Sequence, residues 1–158
     1  MALEIERRFL IKNDQWKEYI TKKTYIEQGY LSNEINDWII RIRFDGSNFK
    51  IALKKYIKNF TNFEFEYLIP NCDGERIMSN ITNLIKKERF YLEVEKKIWI
   101  VDCFQEENYP LEIAEIELSK EEEKFNHPTF ISKEITGLEK FSNLSLSNNP
   151  FSSWKIKN

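Results

Sequence analysis

The stretch Glu4-Ile5-Glu6-Arg7-Arg8 decides the interpretation of the fold. In an extended strand alternate side chains share one face, so Glu4, Glu6 and Arg8 point the same way. The residues that point the other way are apolar: Leu3, Ile5 and Phe9. Charges on a face that a small protein should bury are costly unless they meet counter-charges, a metal ion or a charged ligand. The pattern therefore predicts a strand that faces a polyanion and a divalent cation.

The same alternation of charged and apolar residues recurs along the chain. The further strand candidates are Trp38 to Phe44, Phe49 to Lys55, Phe63 to Leu68, Ile85 to Leu92, Ile98 to Phe104 and Leu111 to Leu118. One such segment alone is typical of an antiparallel strand with a solvated outer face. Like charges about 6.6 Å apart on one strand face do not stabilise each other, however, and such doublets recur here. The repetition favours a closed antiparallel barrel whose lumen holds the charges.

Amphipathic segments are available to cover the apolar outside of such a barrel. Helices are predicted over Asp14 to Lys23 and over Gly74 to about Asn83, and a capping box formed by Ser119 and Glu122 predicts another that ends near Phe125. The tail from Gly137 to Trp154 is expected to fold back as a short helix or plug. The expected fold class is therefore α+β, a closed antiparallel β-barrel with a charged lumen and flanking helices.

Length and composition limit the class of protein. With 158 residues, of which 41% are hydrophobic, the chain suits one domain over residues 1–158. The 24 Lys and Arg nearly cancel the 26 Asp and Glu, so no global charge attracts nucleic acid or a membrane surface. Cys72 and Cys103 form no CxxC pair, and no apolar run approaches the roughly 20 residues of a spanning helix. We expect a cytoplasmic protein.

The charged motifs together resemble a known superfamily. Glu4-Ile5-Glu6-Arg7-Arg8 is similar to the ExExK signature of the CYTH superfamily, the triphosphate tunnel metalloenzymes. The remaining motifs follow in the family's order: Gln28-Gly29-Tyr30-Leu31, Arg41-Ile42-Arg43, Ala52-Leu53-Lys54, Phe63 to Tyr67, Lys87-Glu88-Arg89, Trp99 to Asp102 and Ala114 to Leu118. The resemblance implies an eight-stranded tunnel, with Gln28 to Leu31 supplying the eighth strand. It spans nearly the whole chain and is greatest to the short bacterial tripolyphosphatase-type members.

The resemblance also implies a ligand set for a divalent metal, Mg2+ or Mn2+. Glu4, Glu6 and Glu117 would bind the principal ion, and the residues that complete or support this acidic side would be Glu115, Asp102, Glu64 and Glu66. Hard cations prefer oxygen ligands, so the donor chemistry agrees. Two carboxylates 4 Å apart repel by about 4 kcal/mol at an effective dielectric constant near 20, so several in one lumen require a cation.

The opposite side of the tunnel would bind the phosphate oxygens of a small-molecule triphosphate. The residues assigned to it are Arg8, Arg41, Arg43, Lys54, Lys87 and Arg89, with Lys50 and Lys133 as further candidates. Arginine binds phosphate in bidentate fashion and lysine as a point charge. Arg8, Lys87 and Glu115 are the predicted catalytic residues. Arg8 departs from the family's lysine, which predicts that it alters turnover more than binding.

Several functions are compatible with these residues. The leading hypothesis is metal-dependent hydrolysis of inorganic tripolyphosphate. The alternatives are a class IV adenylyl cyclase, for which no adenine-binding residues are recognised, and a non-catalytic binder of polyphosphate or nucleotide. A lumen that neutralises itself is a further alternative, in which Arg41 or Arg43 pairs with Glu64 or Glu66 and no ligand binds. The resemblance also favours a homodimer.

Overall fold

The computed structural model describes residues 3–35 and 37–154, with the side chains of residues 32–35 left out, and it forms an antiparallel β-barrel. The strands are β1 (Leu3–Ile11), β2 (Ile20–Ile35), β3 (Trp38–Phe44), β4 (Phe49–Lys58), β5 (Thr61–Ile69), β6 (Ile85–Val94), β7 (Lys97–Phe104), β8 (Glu112–Glu117) and β9 (Ile131–Glu134). The order around the wall is β5-β4-β3-β2-β6-β7-β8-β1. Pairing of β5 with β1 closes the barrel, as the alternation predicted.

Strand β1 pairs with three strands: β8 along one edge, and β5 and β9 along the other. Residues Glu6 to Leu10 pair with β8, which places Glu6 opposite Glu117 and Arg8 opposite Glu115. On the other edge, Leu3 to Ile5 pair with β5, while the end of the strand pairs with β9. The ninth strand was not expected from the sequence. Its four residues lie outside the closed barrel and fix the part of β1 that carries Arg8.

The apolar residues pack outside the barrel wall, where three clusters form. One lies under Trp16 and includes Phe9 and Trp99. A second lies under the C-terminal part of the chain, where helix α2 (Asn143–Asn148) buries Leu146. The third lies under helix α1 (Asn71–Met78). Apolar burial outside and charge inside is the arrangement that the alternating strands predicted.

One predicted helix is shorter than expected and another is wrong. Residues Asp14–Tyr19 form a 3-10 helix, but the segment from Ile20 to Lys23 belongs to β2, whose backbone pairs with β6. Residues 119–125 form no helix: the backbone and hydroxyl of Ser119 both donate to Glu123, which also pairs with Lys97. The partner of Ser119 is therefore Glu123 instead of the predicted Glu122, and the contact closes a loop instead of starting a helix.

The helix predicted over Gly74 to about Asn83 begins earlier and is shorter, as α1 over Asn71–Met78. Gly74 lies against the third apolar cluster, because a Cβ atom there would come within 2.1 Å of Phe49. The glycine thus permits a close approach of the helix to the barrel instead of marking its first turn. The tail forms the short helix that was predicted, α2.

Candidate active site

The lumen of the barrel holds a charged cavity of about 450 Å³. Its lining includes nine of the predicted site residues: Glu4, Glu6, Glu64, Glu115, Glu117, Arg41, Arg43, Lys54 and Arg89. A smaller cavity of about 130 Å³ adjoins it, shares Glu6, Arg41 and Lys54, and adds Arg8. A larger groove of about 590 Å³ lies outside the barrel beside Trp99 and contains none of the predicted site residues. The strand alternation therefore concentrates the predicted charges in one place.

Four carboxylates form an acidic wall of the lumen, and we call Glu4, Glu6, Glu115 and Glu117 the acidic wall. Glu6 lies directly opposite Glu117 on β8, and Glu4 is salt-bridged to Lys54. Burial raises the pKa of Glu4 to about 8, and the neighbouring Glu6 adds to the rise while Lys54 opposes it. Burial and Glu115 likewise raise the pKa of Glu6. At Glu4 and Glu6, burial and neighbouring carboxylates therefore outweigh the nearby cations.

The donor set of the acidic wall fits a hard divalent cation. Within the part of the chain that the structure describes, no group of three or more His, Cys, Asp or Glu side chains is arranged to hold a metal ion. The physical reason is that neighbouring cations engage the carboxylates: Lys54 pairs with Glu4, and Arg8 lies 3.5 Å from Glu6. A divalent ion would replace these contacts and offset the burial and the repulsion that raise both pKa values.

Asp102 is the centre of a second, fully paired group, which we call the Asp102 network (Asp102, Lys87 and Arg89). Asp102 and Lys87 are completely buried, and Lys87 Nζ lies 2.6 Å from Asp102 Oδ2. Arg89 donates two hydrogen bonds to the same carboxylate, at 2.8 and 2.7 Å. Burial would raise the pKa of Asp102, but Arg89 and Lys87 hold it far below its usual range. Burial also lowers the pKa of Lys87 to about 8.

The basic residues on β3 differ in their partners. Arg41 Nη2 lies 2.8 Å from Glu64 and 3.0 Å from Glu66, so part of the lumen neutralises itself as the alternative hypothesis predicted. Arg43 donates to Gln28 Oε1 at 3.1 Å and makes no ion pair with any described residue. Burial lowers the pKa of Arg43 to about 10, and the adjacent Arg41 and Arg89 lower it further. The cavity thus contains a cation without a carboxylate partner.

Arg8 links the acidic wall to the C-terminal part of the chain. Its Nε lies 3.1 Å from Glu115 Oε1, and its Nη1 donates to the Phe141 carbonyl at 3.0 Å. The backbone of Arg8 donates to Thr136 Oγ1 at 3.0 Å, just after β9. Arg8 Nη2 is buried and has no hydrogen-bond partner in the described structure. Arg8 thus connects the acidic wall to Phe141, and its Nη2 can donate a hydrogen bond to a further acceptor.

Several predicted residues do not line the two cavities. Lys87 and Asp102 lie behind the lining, and Glu66 and Lys50, 3.2 Å apart, pair with each other beside it. Lys133 is exposed on β9, outside the closed barrel. The sequence interpretation missed four polar residues near the lumen: Gln28, Tyr30, Lys97 and Asn143. The alternation of Gln28 and Tyr30 on one strand was a usable signal, whereas Asn143 follows no strand pattern.

Among the described residues, no helix is long and apolar enough to cross a membrane. No protein-family model matches the chain. The chain is 32% identical to the inorganic triphosphatase of Acetivibrio thermocellus over 157 residues, which cover 98% of this chain and 99% of that protein.

Two solved structures share the fold. The inorganic triphosphatase NE1496 superimposes with a TM-score of 0.68 at 24% identity, over 93% of this chain and 95% of the other. An adenylyl cyclase-like protein of Hippeastrum with a dominant triphosphatase activity has a TM-score of 0.54 at 16% identity, over 76% of this chain and 80% of the other. At these identities the likeness concerns the fold alone. Together with the Acetivibrio relative, the closed barrel and its charged lumen show that the chain belongs to the CYTH superfamily of triphosphate tunnel proteins.

Proposed function

We propose that this chain is a divalent-metal-dependent triphosphatase that hydrolyses inorganic tripolyphosphate to pyrophosphate and phosphate. The observation that carries the proposal is one cavity that holds the four crowded carboxylates of the acidic wall and also a cation without an ion-pair partner among the described residues. Burial and neighbouring carboxylates raise the pKa values of Glu4 and Glu6, while Arg43 makes no ion pair within the described structure. A lumen that only neutralised itself would pair Arg43 with a carboxylate. A polyanion bound together with a metal ion satisfies both sets.

The basic residues of the cavity lining would hold the substrate. Arg41 and Arg43 come from β3 and Arg89 from β6, and all three line one cavity with Lys54. Arginine side chains can bind two oxygens of a phosphate at once, and charge-assisted hydrogen bonds of this kind are about twice as strong as neutral ones. Arg41 would exchange contacts with Glu64 for contacts with phosphate. These residues orient the chain of phosphates and neutralise charge that develops on the leaving group.

The acidic wall would hold Mg2+ or Mn2+ through Glu4, Glu6 and Glu117, with Glu115 in support. When bound, such an ion supplies charge neutralisation at phosphate oxygens and lowers the pKa of water. Asp102 lies behind the lining between Lys87 and Arg89, and Glu64 and Glu66 share Arg41, so we assign these three carboxylates to positioning the basic residues instead of to the metal. The choice between the two ions stays open to experiment.

The predicted catalytic residues take distinct roles in an in-line attack of water on the terminal phosphorus. Arg8, whose Nη2 has no partner in the described structure, would donate to a phosphate oxygen. Glu115 is only 4% exposed and accepts hydrogen bonds from Arg8 and Arg89. It would hold both guanidinium groups in place. Lys87 is held by Asp102 behind the lining, so we assign it to positioning the network rather than to direct contact.

Substrate specificity and chemistry are tested together by one assay. Purified protein would be given tripolyphosphate, ATP and thiamine triphosphate, each with Mg2+, Mn2+ or EDTA, while phosphate and cyclic AMP are measured. We expect metal-dependent phosphate release, fastest from tripolyphosphate. Formation of cyclic AMP would favour the cyclase, and binding without turnover would favour a non-catalytic binder. A cytoplasmic location, a homodimer and one domain over residues 1–158 stay predictions.

A further inference from the structure

A segment after the barrel brings polar residues to the lumen that no strand supplies, Ser142 and Asn143. Asn143 lines both the cavity of about 450 Å³ and the smaller one of about 130 Å³. Chain neighbours fix it from both sides, because the Phe141 carbonyl accepts a hydrogen bond from Arg8 Nη1 at 3.0 Å and Leu146 is completely buried. Asn143 is therefore held at a defined place at the end of the lumen.

The orientation of the Asn143 amide follows from its partner. Lys87 Nζ donates to Asn143 Oδ1 at 2.9 Å. An ammonium group has three donors and no acceptor, so only the amide oxygen can face it. The amide nitrogen then faces away from Lys87, and it donates to no described protein acceptor. Two N–H donors are thus left for the cavities that Asn143 lines.

Lys87 donates directly to this lumen-lining amide. Its side chain is completely buried, with the ammonium held between Asp102 Oδ2 and Asn143 Oδ1, and it lines neither cavity. Asn143 therefore connects the Asp102 network to the smaller cavity, which Arg89 does not line. An amide held in this way loses little conformational freedom when a ligand accepts its hydrogen bond.

The smaller cavity has the size of a phosphate site and more basic than acidic side chains. Arg8, Arg41 and Lys54 line it together with Asn143, and Glu6 of the acidic wall is its one carboxylate among the described residues. At roughly 30 Å³ per water molecule, its volume of about 130 Å³ corresponds to about four waters. That space accommodates one phosphoryl group.

We propose that Asn143 is a substrate-contacting residue, whose Nδ2 donates a hydrogen bond to a non-bridging oxygen of the terminal phosphate while its Oδ1 binds Lys87. This inference rests on the proposed triphosphatase function and assigns one end of the lumen to the terminal phosphate. No bond is made or broken by Asn143. Its contribution is orientation of the phosphate relative to the attacking water.

Two substitutions at one position separate substrate contact from support of Lys87. N143D keeps an oxygen acceptor for Lys87, removes both N–H donors and places negative charge beside the phosphate. N143A removes both the oxygen that accepts from Lys87 and the nitrogen that carries the N–H donors. The matched control is N148A, which changes an exposed asparagine of the same helix that lies outside both lumen cavities. Thermal unfolding of all variants checks that the barrel is intact.

The readouts are kcat/KM for tripolyphosphate with Mg2+ and calorimetric binding of tripolyphosphate. We expect N143A to lower kcat/KM by about 10- to 100-fold, the effect of a lost hydrogen bond to a charged group. N143D should fall at least as far, with weaker binding, and N148A should match wild type. N143D alone carries the test if N143A does not fold.

Each outcome decides between the two hypotheses. A wild type that hydrolyses tripolyphosphate together with an N143D variant of near wild-type kcat/KM and affinity would overturn the role of Asn143 only. Asn143 would then merely support Lys87. A wild type that binds tripolyphosphate without turnover leaves the binding comparison to decide. A wild type that neither binds nor hydrolyses it would overturn the proposed function, and this inference with it.

Discussion

The acidic wall and the Asp102 network contain the same kinds of side chain and differ in how completely these are paired. Asp102 lies between Lys87 and Arg89, and its pKa is held far below the usual range. Glu4 and Glu6, on the acidic wall, have raised pKa values because burial and neighbouring carboxylates outweigh their cations. Breaking a fully paired group of buried charges destabilises the fold, whereas crowded carboxylates with raised pKa values are typical of a ligand site. The lumen therefore combines a preformed scaffold with a site for a cation.

Breaking the Asp102 network should have the largest effect on folding. Removal of this carboxylate by D102N leaves Lys87 and Arg89 buried without their shared partner, which costs about 3–5 kcal/mol of unfolding free energy. Urea unfolding at neutral pH measures it. The control is D14N at the pair Lys17–Asp14, whose side chains are 52% and 74% exposed. That pair should contribute less than about 1 kcal/mol. A D102N variant as stable as D14N would show that the network is not structural.

A substitution in the acidic wall should change the unfolding free energy little and the activity strongly. We expect E4Q to keep the unfolding free energy near neutral pH within about 1 kcal/mol of wild type, because burial raises the pKa of Glu4 to about 8 and glutamine resembles the protonated side chain. Its kcat should fall by at least about 100-fold, since a metal-binding group is lost. Urea unfolding and phosphate release from tripolyphosphate measure the two quantities. The control is E66Q, which changes a carboxylate already paired with Arg41 and Lys50. An equal loss of activity in E66Q would contradict the assignment.

The raised pKa of Glu4 predicts that the stability of the protein depends on pH. Burial raises the pKa of Glu4 from its ordinary value of 4.5 to about 8 in the folded state. Between these pH values the folded protein retains a proton that the unfolded chain has released. Stability in EDTA should therefore fall as pH rises from about 5 to 8, by at most about 1.4 kcal/mol per pH unit. Urea unfolding across this range measures the slope. E4Q should reduce it, and an unchanged slope in E4Q would refute the assignment to Glu4.

The smallest expected effect concerns the link between the acidic wall and the C-terminal part of the chain. R8K keeps the charge but loses the hydrogen bond from Nη1 to the Phe141 carbonyl, which contributes about 1 kcal/mol. We expect tripolyphosphate affinity within a few-fold of wild type and a changed kcat, because a guanidinium and an ammonium orient phosphate differently. Steady-state kinetics and calorimetric binding separate the two quantities. Equal losses in affinity and in kcat would argue against a positioning role for Arg8.

The barrel and most of the lumen charges could be predicted because the period of a strand assigns each residue to a face. Glu4, Glu6 and Arg8 on β1, and Arg41 and Arg43 on β3, lie inside as the alternation requires. The helix predictions failed where strand pairing determined the local structure. At Ile20, for example, the backbone pairs with Leu92 of β6.

Pairing within the lumen was beyond sequence reasoning, because it depends on which neighbouring strand places a counter-charge in reach. Arg41 and Arg43 are equivalent in the sequence pattern, yet only Arg41 has carboxylate partners among the described residues. Lys87 belongs to the same alternation but lies behind the lining. Asn143 comes from a helix after the barrel, so no strand periodicity could assign it to the lumen.

Direct binding of a divalent ion tests the central difference between the two groups. Mn2+ would be titrated into the wild type, the E4Q/E6Q double variant and the E66Q variant, and the dissociation constant measured by calorimetry. The assignment of the acidic wall predicts binding in the wild type and E66Q, and its loss in E4Q/E6Q. Equal affinity in wild type and E4Q/E6Q would contradict it.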